Sequence, residues 1–373
     1  MKKGLAVIYD PHNLYQFIWY LCTYGKDSSW DALCLPNGSK GEYMGDFCER
    51  SQVFSHVYRN NVSFESAKLG KKLGMFVKMF FYYMRRKQLV FCKELLREYI
   101  DIDDYQRVVV LCDIGIVSGA CIGLGKMKDI VILEDGTADY ADRPRGYFWK
   151  HILNANNWQG MILAKMGYAN PAHYYPLEST RYCEKFSSHP DSMKYTNYKS
   201  IKKLYDFRNT DEEMYNTIMG RLYPEVNIVE LQKADIIVFS SPLNVFVKDT
   251  KPFLRAFEEH INCTGCEKIV LKKHPMDEEE YHFNRNIQCV EINSSIPAEA
   301  LLPYIKNKKI IFMGVSSILL YLDCHGYDIE IVHFSGLHKQ AEVDKSRFLD
   351  SSLEEKKTYL SQIGVNGYQF VIL

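Results

Sequence analysis

Lys309-Ile310-Ile311-Phe312-Met313-Gly314-Val315-Ser316-Ser317-Ile318-Leu319-Leu320 decides the fold class. An apolar run rich in β-branched residues stops at a glycine, two hydroxyls follow, and an apolar helix begins. This is a βα unit whose strand is buried on both faces, as in a parallel sheet between helices. Similar runs stand at residues 5–9, 108–112, 130–133, 236–239 and 269–271, alternating with amphipathic stretches. The pattern predicts an α/β protein with mostly parallel sheets. A chain of 373 residues exceeds what one hydrophobic core usually organises, so two domains are expected. The polar segment 187–213, rich in Ser, Asn, Asp and Tyr, sets the boundary at residue 190, between Rossmann-like domains 1–190 and 191–373. Two such halves facing a central cleft would hold ligands at the carboxyl ends of their strands.

Charge narrows the function. Lys+Arg 46 balances Asp+Glu 46, which argues against a general nucleic-acid binder resting on a basic face. The 11 cysteines, an odd number, are scattered, and Cys22, Cys92, Cys112, Cys121, Cys289 and Cys324 read as small buried hydrophobes. Met1-Lys2-Lys3 opens a run that ends at Asp10-Pro11, which reads as a first strand and not as a secretion signal. No stretch of about 18 uncharged apolar residues occurs. A cytoplasmic location is the expectation.

Several motifs fail. Residues 119–126 resemble a phosphate loop, but the spacing is wrong and Met127 stands where Ser or Thr should bind magnesium. Cys263-Thr264-Gly265-Cys266 is a lone CxxC, read as two thiols on a turn. Asp101-Ile102-Asp103 has the letters of a metal motif but precedes a strand.

Four constellations can carry chemistry. Glu134-Asp135-Gly136 places two carboxylates where a strand stops; like charges this close raise one pKa and prepare a general base. Lys272-Lys273-His274-Pro275 runs a buried strand into cations and an imidazole, with Pro275 keeping His274 out of helix. Such a group suits a phosphate that departs with added negative charge. Gly314, Ser316 and Ser317 offer hydroxyls and backbone N–H groups for a phosphate, or a simple helix cap. Glu299, in the first turn after Pro297, either complements a helix dipole or accepts two ribose hydroxyls. Asp249, in the loop after residues 236–242, is a third candidate base behind Glu134 and Asp135.

In that order, Glu134-Asp135-Gly136, His274-Pro275 and Ser316-Ser317 resemble the acidic-acidic-Gly, His-Pro and Ser-Ser motifs of bacterial sialyltransferases, and glycosyltransferase family 52 in particular. The resemblance implies a GT-B fold, CMP-sialic acid as donor, inversion at the anomeric carbon, and no cofactor or required metal. It puts the base and acceptor in the first domain. Lys273, His274, Pro275, Glu299, Gly314, Ser316 and Ser317 then fall in a CMP-sugar site in the second. The implied acceptor is a galactose-terminated capsular or lipooligosaccharide glycan, lipid-linked in some members, with peripheral membrane contact and a homodimer within the expectation. A monophosphate leaving group has no diphosphate for magnesium to bridge, which agrees with the resemblance. Two other readings stay open: a transferase using another nucleotide sugar, and a non-catalytic glycan-binding or assembly protein of the same fold. Residues 71–86 interleave aromatics with Lys78, Arg85 and Arg86 and read first as a core helix, second as a surface for anionic membrane.

Overall fold

The computed structural model describes residues 2–35, 44–60, 77, 81, 87–110, 116–134, 178–193, 196–205, 209–224, 226, 228–294, 296–305, 307–316, 318–322, 327–335, 352–362 and 364–373. It falls into two units, Met1–Leu222 and Tyr223–Leu373. The first holds β1 (Lys2–Ile8), α1 (Pro11–Tyr20), β2 (Ser28–Cys34), α2 (Met44–Ser51), β3 (Phe54–Arg59), α3 (Gln88–Arg97), β4 (Arg107–Val110), α4 (Ile116–Gly123), β5 (Asp129–Ile132), β6 (Glu184–Ser187), β7 (Ser200–Lys203) and α5 (Glu212–Leu222). The second holds α6 (Ile228–Lys233), β8 (Ile236–Phe239), α7 (Leu243–Phe246), α8 (Lys251–Asn262), β9 (Lys268–Lys272), β10 (Gln288–Ile292), β11 (Lys309–Phe312), α9 (Leu319–Leu322), β12 (Asp328–His333), α10 (Leu353–Gln362) and β13 (Tyr368–Ile372).

Both sheets are parallel and follow one logic: β3-β2-β1-β4-β5-β6-β7 in the first and β10-β9-β8-β11-β12-β13 in the second. Each has its first strand in the interior, with the order reversing beside it. That reversal is the switch point at which open α/β sheets bind ligands. Local chemistry fixes the elements. Asp10 caps α1 by accepting the Asn13 N–H at 2.8 Å, with Pro11 in the first turn. Helix α8 buries Phe253, Leu254, Phe257 and Ile261, one stripe at helical spacing. In the first unit Leu5, Val7, Val108, Val110, Ile130 and Ile132 pack against Leu95 and Leu96 of α3 and Ala120 and Cys121 of α4.

The unit boundary lies after Leu222, not at residue 190. Strand β7 pairs with β6, and Trp19 of α1 meets Tyr215 of α5 at 4.9 Å and Tyr205, just after β7, at 5.2 Å between ring centroids. The 187–213 segment is polar because β7 is a half-exposed edge strand, not because it links domains. Cys22, Cys92 and Cys121 are buried as expected, whereas Cys289 is exposed on the edge strand β10; Cys112 and Cys324 lie outside the described residues. Asp103 is tied to Lys93 at 2.7 Å. Among the described residues no helix is long and apolar enough to cross a membrane. The 71–86 segment lies outside them apart from Val77 and Phe81.

A buried ion cluster stabilises the second unit. Glu330 of β12 accepts from His260 Nε2 of α8 and pairs with Lys309 Nζ at 2.9 Å. Burial works against the Glu330 carboxylate, but bonds from His260 and Lys309 outweigh it and hold its pKa below the usual 4.5. Glu330→Ala should cost about 1–3 kcal/mol in urea unfolding, since it takes from the His260 ring and the Lys309 ammonium their shared acceptor. The sign follows from the lowered native pKa: the contribution is complete above the unfolded value near 4.5 and disappears as pH falls through the native one. Acid unfolding of wild type should therefore steepen in that range, and the variant should lack this component.

Candidate functional site

In the second unit three strands end level. Phe239 of β8 stands beside Lys272 of β9 and Phe312 of β11, and the ladder continues through Ser240 N to Lys272 O (3.1 Å) and Met313 N to Phe239 O (2.9 Å). The carboxyl edge therefore presents Lys272-Lys273-His274, Ser240 and Met313-Gly314-Val315-Ser316 side by side, across two strand spacings of roughly 10 Å. His274 and Ser316, far apart in sequence, flank Ser240.

His274 is exposed. Its Nδ1 accepts the Met276 N–H at 3.1 Å, its own N–H donates to Ser240 Oγ at 3.1 Å, and its carbonyl accepts from Asp277 N at 2.9 Å. With Nδ1 engaged as acceptor, the neutral ring carries its proton on Nε2. Lys272 turns inward, donating to Lys273 O at 2.6 Å and Ser294 O at 3.1 Å. Burial pushes its ammonium down to about 8, while Glu299 pulls the other way. Lys273 sits over the Tyr281 ring at 5.6 Å and lies 3.7 Å from Glu291. Pro275 is exposed.

Gly314 has φ +97°, the left-handed region that favours glycine, which lets the chain turn sharply off β11. Beyond it, α9 covers Leu319–Leu322 among the described residues, and Leu319 N donates to Ser316 O at 3.2 Å. Ser317 lies outside the described residues. Glu299 lies in the first turn of a 3₁₀ helix, Ala298–Tyr304; its side chain is buried.

In the first unit Glu134 follows β5. It is fully buried, and both its oxygens are engaged by Ser188 after β6: Oε2 accepts the backbone N–H at 2.7 Å and Oε1 the hydroxyl. A carboxylate so held fixes a turn and is poorly placed to receive an acceptor's proton. Its neighbour Asp135, the second candidate base, lies outside the described residues. Asp249 stands beyond α7, exposed, and accepts the Lys251 N–H at 3.3 Å, a local turn bond just before α8. Ser240, Asp277, Tyr281 and Ser188 escaped the sequence reading. The only signal was a polar residue directly after an apolar strand, as at Ser240.

A family model described as Alpha-2,8-polysialyltransferase (POLYST) matches residues 119–333. No curated protein sequence matches. Among solved structures, the α/β-galactoside α-2,3-sialyltransferase of the luminous marine bacterium Photobacterium phosphoreum aligns with a TM-score of 0.52 at 14% identity, covering 99% of this chain and 98% of that one. The glycosyltransferase SnogD from Streptomyces nogalater aligns with a TM-score of 0.49 at 14% identity, covering 100% and 88%.

Proposed function

Since the chain belongs to the alpha-2,8-polysialyltransferase family, we propose that it is an inverting enzyme moving sialic acid from CMP-sialic acid onto a glycan ending in sialic acid. It is a sialyltransferase of GT-B fold, with a nucleotide-sugar donor and a glycan acceptor. The acceptor departs from the galactose-terminated glycan that the motifs implied, because an α-2,8 linkage joins one sialic acid to another. The galactoside acceptor is that of the Photobacterium enzyme, whose sequence is only 14% identical. A cytoplasmic position beside a lipid-linked acceptor belongs to the same proposal.

The carrying observation is the level carboxyl edge of β9, β8 and β11, where His274 offers an Nε2–H. In the proposed reaction Asp135 takes the proton from the acceptor hydroxyl, whose oxygen attacks the anomeric carbon from the face opposite CMP. The bond to the phosphate oxygen breaks, and His274 Nε2–H donates to that oxygen as its charge grows. Gly314 and Ser316 support the same phosphate, and Glu299 the ribose.

CMP should raise the melting temperature well above the shifts from UDP or GDP; at a hundredfold excess over its dissociation constant a ligand adds about 2.7 kcal/mol. Product analysis should then show transfer to an oligosialic acid primer, persisting in EDTA. Equal shifts from all three nucleotides would sink the CMP assignment, and transfer to lactose alone would return the acceptor to galactose.

A further inference from the structure

The loop bearing His274 is organised around a carboxylate that the proposed reaction does not use. Asp277 is 8% exposed. Its Oδ2 accepts from the hydroxyls of Ser240 and of Tyr281, the latter at 2.8 Å, and its Oδ1 accepts the Glu279 N–H at 3.1 Å. Burial first, and the Asp277 charge second, push the Tyr281 phenol far up, so Tyr281 keeps its proton and donates. Ser240 owns a single hydroxyl proton. With that proton committed to Asp277, the oxygen turns its lone pairs to the His274 N–H, 3.1 Å away. Asp277 returns to the same residue through its own N–H, bound to His274 O at 2.9 Å, which closes the turn placing Met276 N–H on Nδ1.

We propose that Asp277 is the positioning residue of His274: through Ser240 and the 274–277 turn it sets the ring's place and its Nε2–H tautomer for the leaving phosphate. The inference rests on the reading that His274 serves that phosphate. A carboxylate is required. An amide at position 277 can turn its oxygen toward the two hydroxyls, and then its NH₂ meets the Glu279 N–H donor to donor. It can turn the other way, and then Ser240 and Tyr281 lose their acceptor. Neither orientation satisfies every partner.

The test uses the full chain labelled with ¹⁵N-histidine, reading the His274 ring nitrogens by NMR beside steady-state transfer from CMP-sialic acid. Wild type should show the Nε2–H tautomer. Asp277→Asn should give a mixture of tautomers and a kcat lower by about 10- to 100-fold, the scale of an ångström's misplacement, with a smaller change in donor KM. Ser240→Ala, which removes the acceptor of the His274 N–H together with one donor to Asp277, carries the same expectation if Asp277→Asn does not fold. Adding Asp277→Asn to His274→Ala should cost no further activity. Overturning results are an unchanged tautomer in a folded Asp277→Asn or Ser240→Ala protein, or additive losses in the double variant. Failure of the parent reading is distinct, since it shows as normal transfer by His274→Ala alone.

Discussion

His274→Ala should lower sialyl transfer by on the order of 10²- to 10⁴-fold, the usual contribution of a general acid, while leaving the fold intact. The imidazole is exposed, and the bond it accepts from Met276 N–H can pass to water. Burial, by contrast, makes losses at Glu330 or Asp277 structural as well. Because departure of CMP is common to both reactions, slow hydrolysis of the donor without acceptor should fall in parallel with transfer. CMP binding, measured by the melting shift, should change far less. Transfer and hydrolysis both within about threefold of wild type would remove His274 from the reaction.

Asp135→Asn should lose transfer by a similar factor, on the order of 10²- to 10⁴-fold, and keep both CMP binding and donor hydrolysis, since water needs no help from the acceptor's base to the same degree. Glu134→Gln should behave differently. Its oxygens hold Ser188, so the amide weakens a buried turn by roughly 1–3 kcal/mol, and activity should follow the fraction folded. Asp249→Asn, altering only an exposed turn bond, should stay near wild type. A stable but inactive Glu134→Gln beside an active Asp135→Asn would restore Glu134 as the base.

The strands that the sequence revealed are those buried on both faces without interruption, β1, β4, β5, β8, β9 and β11. Strands β2 and β12 stayed hidden because each carries a buried carboxylate, Asp31 and Glu330, in the middle of its run. Their partners come from distant elements: Tyr105 and Lys3 for Asp31, His260 and Lys309 for Glu330. Periodicity cannot anticipate such pairing. Strands β3, β10 and β13 lie at sheet edges and expose too much to read as apolar runs. At the site, His274 and Ser316 were legible as strand-end residues, whereas their alignment across β8 depends on strand order. The His-Pro dipeptide was no guide alone, because His189-Pro190 closes β6 in the same manner. The carboxylate ranking drew on charge proximity, whereas the burial of Glu134 and its bonds from Ser188 depend on β6, which the local sequence does not show.

The aromatic seam between α1 and α5 has a consequence for how this protein is made. Tyr15 and Trp19 leave the ribosome early, but the rings that cover them, Tyr205 and Tyr215, emerge nearly two hundred residues later. Until then the nascent first unit has an uncovered aromatic face, and closing so long a loop makes the step slow and exposed to misassociation. A separately expressed first unit must therefore run through Leu222. A fragment cut at residue 190 would keep its nucleus and still aggregate through α1.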